Sequence, residues 1–475
     1  MSSKKISIKY LIPLIVISLI LLISNMGQSF RDDTFLNDRA VEHANNLQAI
    51  WDKSKNQSQY YDLSSKYIIE YIANIGLKPY YPEGYSRDLI TYMPNFKYPS
   101  ILSVIDKHGK EIKKYNYGED FFEFFKGNNN CGVVKGHADI IEKLPDKNIL
   151  LNEIVLFDDY YNKTDEEIKK TDAFLKYNGA AAVITPSHTL DLKNESGLYD
   201  QINNSSENPL IKFIVTRRVY TELTEFSKKG YTLKVQSGAD IELSNSKILA
   251  GKIDGKNTSY KPLVILTYYD GIYRNPYIKK EEYINYALPP SIILECMKSI
   301  DLQRNNQPDR TIIFVFLPGQ MLNMVPDFKN TINIPGDCLL FNMLGSSNEV
   351  ILSYTNSSKF TAESVEAFAS KNNIEIVSKS TDSINPYNII QIEAINSMSN
   401  NQINNKYLNN SGKFILSLIG DECYDLDFVT ANFRSIRKIK RYVKYHSASI
   451  SLIAFGIMLF AIFNDHDSKL IDKKK

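Results

Sequence analysis

The chain has 475 residues, enough for two or three domains with their own cores. Its 56 basic and 54 acidic residues nearly cancel to a net charge of +2, so no global field would draw in nucleic acid or another polyanion. The four cysteines, Cys131, Cys296, Cys338 and Cys423, form no C-x-x-C pair. That argues against a thiolate zinc knuckle and makes buried free thiols the expectation ahead of two disulfides.

Lys4, Lys5 and Lys9 precede an apolar run from Tyr10 to Ile23, followed by a poor small-x-small cleavage site at Ser24–Gly27. Residues 1–28 therefore predict an uncleaved signal anchor, with the N-terminus in the cytoplasm and the body outside. Ala40, Val41, Ala44, Leu47, Ile50 and Trp51 recur at helical spacing, as do Leu63, Tyr67, Ile68, Tyr71 and Ile72. Gly76 ends the second helix, and Pro79 lies beyond it. The stretch Tyr80–Lys126 is expected to form short strands and turns, with a hairpin turn at Asp106–Gly109.

After Cys131 the pattern becomes β-α-β. Glu153–Phe157 reads as a buried strand, and Thr164–Tyr177 as a helix with a Thr164/Glu167 capping box. Gly179–Ile184 turns into a second strand; Pro209–Val215 is a third, and Val219–Lys228 a helix. Further on, Leu263–Thr267, Thr311–Phe316, Cys338–Met343, Ile374–Val377 and Phe414–Ile419 are expected strands, with helices at Leu288–Ile300 and Ala362–Ser370. Asn400–Asn410 is expected to be a polar surface loop. Apolar strands alternating with helices predict an α/β protein with a mixed, mostly parallel sheet covered on both faces.

At the C-terminal end, a basic stretch at 434–446 leads into the apolar run Ser447–Phe463 and a basic tail at 464–475. About 17 residues is near the lower limit for crossing roughly 30 Å of hydrocarbon. Residues 434–446 are expected to lie as a basic juxtamembrane helix on anionic headgroups, and 447–463 to span the membrane. The bulk of the chain is then extracytoplasmic and both termini cytoplasmic.

The order of segments resembles the co-catalytic zinc aminopeptidases of metallopeptidase family 28. The stretch EIVLFDDYYNKTDEEIKKTDAFLKYNGAAAVI looks like the protease-associated domain inserted in members of that family. YIANIGLKP resembles the family's N-terminal helix, ILAGKIDGK the strand returning to the peptidase domain, and RTIIFVFLPGQMLNM and CLLFNMLG its central strands. The resemblance implies a zinc-exopeptidase-like domain in two parts, 35–130 and 246–433, with a protease-associated-like insert at 131–245.

It also implies a pair of zinc ions about 3.5–4 Å apart, held by imidazole and carboxylate donors. The positions that match those ligands depart from the pattern. The His-x-Asp strand end reads Tyr268-Tyr269-Asp270; the bridging carboxylate falls near Asn285; the Glu-Glu pair reads Gln320-Met321. The Asp after the next central strand is Asn342, and the late histidine maps to Asp421. None of the six histidines lies between His188 and His446. Amides keep the shape of carboxylates but not their charge, and Gln320 has no useful proton affinity as a general base.

The leading expectation is therefore a catalytically inactive zinc-peptidase homologue. It would be a membrane-anchored, extracytoplasmic module that binds a peptide or a membrane-protein partner, without nucleic acid and with no cofactor. One alternative is an active metallo-aminopeptidase or carboxypeptidase that takes zinc and uses ligands such as Asp270, Asp421 and Asp425. The other is a structural subunit of a membrane complex.

Overall fold

The computed structural model describes residues 30, 33–54, 57–126, 129–144, 151–187, 210–269, 283–303, 306–319, 337–354, 359–380, 389–395 and 403–424. The expected membrane segments at 1–28 and 447–463, and the juxtamembrane helix at 434–446, lie outside them. No helix among the described residues is long and apolar enough to cross a membrane.

Two helices open the body, α1 (Asn37–Lys53) and α2 (Gln57–Asn74). Their apolar stripes bury Ala40, Ala44, Leu47, Trp51, Ile68 and Ile72. Gly76, at φ 81°, turns the chain out of α2 in a conformation that favours glycine. Short β1 (Lys78–Pro79) and long β2 (Ser86–Phe96) follow.

His43 is buried between the two helices. Its Nδ1 lies 2.6 Å from the Tyr67 hydroxyl, and its ring stands edge-on to Tyr71 at 4.4 Å between centroids. Burial, helped by the nearby Arg39 charge, pushes its pKa down to about 4. The unfolded chain therefore binds a proton from about pH 6.5 downward that the folded chain refuses until about pH 4. Stability from this group is complete above that window and falls by about 3 kcal/mol through it. Thermal melts between pH 7.5 and 4.5 should show that loss, and His43→Gln should flatten it.

Next comes a separate body. It contains β3 (Ile101–Ile105), β4 (Glu111–Lys114), β5 (Phe121–Glu123), β6 (Gly132–Gly136), β7 (Ala138–Ile141) and β8 (Ile154–Phe157). It continues through α3 (Asp165–Tyr177), β9 (Ala182–Pro186), β10 (Ile211–Val215), α4 (Arg217–Lys228) and β11 (Thr232–Ser237). These strands make a five-stranded sheet, β5-β10-β9-β8-β7, and a four-stranded sheet, β4-β3-β11-β6. Leu102, Val104, Ile154, Phe213 and Val235 fill a core shared by strands of both sheets. Val155, Phe157, Ile168 and Leu175 form a second core, on which α3 lies. The Thr164 capping box that starts α3 is present in both directions.

A boundary at residue 131 would cut through this body. Of the strands expected in the N-terminal part of the peptidase-like domain, β3 pairs with β11 and β5 with β10 instead, and β4 pairs with β3. Their short alternating pattern says that they are strands but not which partner they find.

The chain enters and leaves the body at a tight crossing. Lys97 N donates to Gly238 O (2.9 Å) and Gly238 N to Ser100 Oγ (3.0 Å). A Cβ on Gly238 would stand 1.7 Å from Tyr98 O, so only glycine fits there.

The main sheet resumes with β12 (Ala239–Ile253), whose first part pairs with β2 in a long antiparallel ribbon. Then follow β13 (Leu263–Tyr268), α5 (Tyr283–Asp301), β14 (Ile312–Leu317), β15 (Asp337–Asn342) and β16 (Glu349–Ser353). The last elements are α6 (Lys359–Lys371), β17 (Glu375–Ser380), β18 (Ile389–Ala394) and α7 (Asn405–Cys423). Among the described residues the sheet has nine strands, ordered β1-β12-β14-β13-β15-β18-β16-β17, with β2 beside β12. The four central strands β14, β13, β15 and β18 run parallel. One face packs the larger core against residues of α1, α2, α5, α6 and α7; the other carries a smaller apolar layer from Val264 to Ile389.

Phe414–Ile419 is helix, not strand, and the expected loop at Asn400–Asn410 runs into its first turns. An apolar run by itself cannot separate a strand from a helix buried on most sides. Asn404 caps α7 by accepting from Lys406 N and Tyr407 N. Gly412 and Gly420 look like helix breakers, yet a Cβ at either would stand within 2.5 Å of the Phe35 or Phe30 ring. They are packing glycines. The four cysteines are free thiols.

Candidate functional site

Parallel α/β sheets bind ligands beyond the carboxyl ends of their strands. Here that edge carries a row of side chains across neighbouring strands. Tyr268 ends β13 opposite Leu317 of β14, Thr267 lies opposite Phe341, and Asn342 ends β15 opposite Glu393 of β18. Side chains alternate along a strand, so Tyr268 shares a face with Val264 and Leu266, and Asn342 with Cys338 and Leu340. Those four apolar residues all belong to the smaller layer. Gln391 and Glu393 fall on the same face by the same alternation from Ile389, while Ile390 and Ile392 point into the larger core. Tyr268, Asn342, Gln391 and Glu393 therefore line one face of one edge.

Backbone locks hold this edge in place. Tyr60 OH donates to Tyr269 O (2.8 Å), and Tyr269 OH donates to Lys247 O (3.0 Å). Tyr61 stands edge-on to Tyr269 at 5.6 Å. After Asn342 the chain turns sharply through Met343 (φ 52°) and Gly345 (φ 93°), with Ser346 Oγ donating to Met343 O at 2.7 Å. A Cβ on Gly345 would meet Ile292 Cδ1 at 2.9 Å and Leu288 Cβ at 3.4 Å, so the turn seats directly on α5. That helix begins at Tyr283, five residues before the expected start at Leu288. Pro289 and Pro290 thus lie inside it, and they remove the N–H donors that would bond the carbonyls of Asn285 and Tyr286.

Glu393 is half-buried. Asn342 Nδ2 donates to its Oε1 at 3.1 Å and Gln391 Nε2 to its Oε2 at 3.2 Å. Burial pushes its carboxyl above the ordinary range, and the two amide hydrogen bonds pull it part of the way back. Sequence reasoning missed this residue because it assigned no strand to 389–394. The signal was there: IIQIEA alternates apolar and polar with period two.

The other expected site residues divide into two groups. Asp270, Gln320, Met321 and Asp425 lie outside the described residues, and so does the side chain of Asn285, whose backbone is in α5. Asp421 is described, and it is at the wrong edge. It sits in the last turn of α7, where Cys423 O accepts from Asp309 N (2.7 Å) and Glu422 meets Arg310 at 3.5 Å. Arg310 also pairs with Asp337 at 3.0 Å. Arg310 and Asp337 stand where β14 and β15 begin, whereas Tyr268 and Asn342 stand where the strands end. A six-residue strand spans about 17 Å, so Asp421 does not join that row. The mapping failed because it took α7 for a sheet strand. Among the described residues, no three His, Cys, Asp or Glu side chains are grouped to hold a metal ion.

No family model and no curated protein matches the sequence. Solved structures match the fold. An aminopeptidase from Aneurinibacillus sp. strain AM-1 aligns with a TM-score of 0.58 at 13% identity, over 84% of this chain and 98% of its own. BSAP, a zinc aminopeptidase from Bacillus subtilis, gives 0.51 at 12%, over 84% and 97%. A peptidase M28 precursor from Shewanella amazonensis SB2B gives 0.50 at 11%, over 82% and 97%. The architecture is that of the M28 aminopeptidases: a mixed α/β fold with a parallel centre flanked by helices.

Proposed function

We propose that the chain is a non-catalytic member of this peptidase fold that binds a peptide or protein segment at the carboxyl edge of its sheet. The observation that carries the reading is the chemistry of the row. Where the zinc aminopeptidase pattern needs imidazole and anionic oxygen, Tyr268 offers a phenol set against an apolar layer, and Asn342 a carboxamide committed to Glu393. A divalent zinc gives up a large hydration energy and needs several charged donors in return. The described part of the row supplies one carboxylate, already bonded by two amides, so a zinc pair does not fit it. The stretch 189–445, which would provide imidazoles, contains none.

In this reading the separate α/β body is a protease-associated-like insert whose position is set by the crossing at Gly238. Residues 1–28 and 447–463 tether the chain, which places that edge of the sheet outside the cytoplasm near a membrane-protein partner. The apolar runs and their basic flanks support that placement.

Elemental analysis of the purified full-length chain is expected to find less than stoichiometric zinc, and aminoacyl-nitroanilides should not be turned over. Two tightly held zinc ions per chain with chelator-sensitive turnover would establish the active metallo-aminopeptidase instead.

A further inference from the structure

We propose that the main body meets the bilayer with the pole where its parallel strands begin, Leu302 turned toward the lipid and the carboxyl edge of the sheet facing away. The inference rests on the tethering by residues 1–28 and 447–463 and adds to it the surface that the membrane touches.

The first ground is a strap of N-terminal chain laid along α7. Asn37 Nδ2 donates to Asn405 O at the start of α7 (2.8 Å). The Phe35 ring fills the space over Gly412, and the Phe30 ring the space over Gly420. Between them Thr34 O accepts from Ser299 Oγ near the end of α5 (3.0 Å). Seven extended residues cover about 23 Å, and the helix rises about 22 Å from Asn405 to Gly420, so the contacts stay in step. Phe30 also packs on Tyr424, with 4.6 Å between ring centroids. The last turn of α7 lies at the edge where β14 and β15 begin, fixed there by the bond from Asp309 N to Cys423 O. Both apolar segments are therefore attached to the body at one pole. Ile23, which ends the first apolar run, comes seven residues before Phe30 and lies at most about 25 Å from it. The carboxyl edge is a further strand length away, about 17 Å. The short tether brings the pole to the bilayer and holds the carboxyl edge off it.

The second ground is what the pole exposes. Its loops, 254–262 and 302–311, are laced together by Lys256 N to Pro308 O (2.9 Å) and Asn257 N to Asp309 O (3.0 Å). Leu302, just past the end of α5, is 58% exposed, more than any other leucine, isoleucine or valine among the described residues. Lys256 and Lys261 are exposed on the neighbouring loop. The carboxylates at these strand and helix ends are met by cations: Asp254 by Lys78 and Lys252, Asp301 by Lys298, Asp309 by Lys256, and Asp337 by Arg310. An aliphatic side chain among lysines, with the acids paired, matches a headgroup layer that takes apolar atoms at depth and ammonium groups at the phosphates.

The third ground is the opposite end. β12 pairs with β14 only as far as Leu249, opposite Phe316. Residues 239–248 run on past the carboxyl edge, paired with β2, to the crossing at Gly238. The tethers and the separate body thus attach to the main sheet at opposite ends.

The test uses the full-length chain in vesicles of phosphatidylcholine and phosphatidylglycerol. Cys131→Ser removes the one cysteine that is not buried. A bimane label is then placed at Leu302→Cys or at Glu349→Cys. Glu349 is exposed and precedes Val350, which pairs with Ala394 at the carboxyl edge. Lipid spin-labelled at the headgroup in both leaflets should quench the label at 302 several-fold more than the label at 349. Equal quenching, or stronger quenching at 349, on a chain that resists carbonate extraction overturns the orientation and leaves the tethers standing. A chain that carbonate strips from the vesicles overturns the tethering, and the orientation with it.

Discussion

Replacing Arg39 with alanine should destabilise the main body by about 3–5 kcal/mol, among the largest single-residue losses expected in this chain. Arg39 joins α1 to Glu295 in the middle of α5 through two bonds, Nε to Oε2 and Nη2 to Oε1, both 2.7 Å. Glu295 is completely buried, and its Oε1 also accepts from Leu36 N and Ser299 Oγ at 3.0 Å each. Removing the guanidinium leaves the Glu295 carboxylate with neutral donors alone, and that uncompensated charge is the source of the cost. Lysine should rescue poorly, because a single ammonium cannot reproduce the two-pronged contact. Urea denaturation read by circular dichroism measures the loss. An alanine variant within 0.5 kcal/mol of wild type, at the level of an ordinary surface substitution, would show that the pair is not a clamp. The same clamp sets the height of α5, and with it the seat of the Asn342–Gly345 turn, so Arg39→Ala should also weaken whatever binds at the row.

Lys212→Ala should have a comparable effect in the separate body, again about 3–5 kcal/mol. Lys212 sits on β10 and Asp172 on α3, both 1% exposed, with 2.9 Å between Nζ and Oδ2. Nζ also donates to Lys126 O at 2.7 Å, and Tyr160 OH donates to the other oxygen of Asp172. Burial lowers the lysine pKa and raises that of the aspartate, and each partner's charge pulls the other part of the way back. Losing the lysine leaves a buried anion with only the Tyr160 hydroxyl. The double variant Lys212→Met, Asp172→Leu should recover most of the loss, since apolar side chains of similar volume replace buried ion pairs at little cost. Single and double variants measured together give the coupling energy directly. Equal losses in the single and double variants would show that packing, not charge, holds α3 to the sheet.

Much of the fold was legible because its signals are local. The runs at Leu263–Thr267 and Thr311–Phe316 are short and apolar and lie between helical stretches, as central parallel strands must. The Thr164–Glu167 box marked a helix start that needs only four residues to recognise. What escaped was non-local. The pairing of β2 with β12 joins segments about 150 residues apart in sequence. The run Phe414–Ile419 was misread because packing against Phe35 and Phe30, not local propensity, explains the glycines of α7. Glu393 was invisible as a site residue because its significance comes from the strand beside it.

The sequence by itself determined which donor chemistry exists: Tyr268, Asn342 and Gln320 are what they are before the chain folds, and no imidazole lies between His188 and His446. Tertiary structure alone decided where that chemistry meets. Strand direction sends Asp421 to the edge where β14 and β15 begin, and strand register brings Glu393 into line with Asn342. The physical reason is that the donor atoms a side chain carries are covalent properties of the residue. Convergence depends instead on the hydrogen-bond ladder between strands, which the order of residues along the chain does not display.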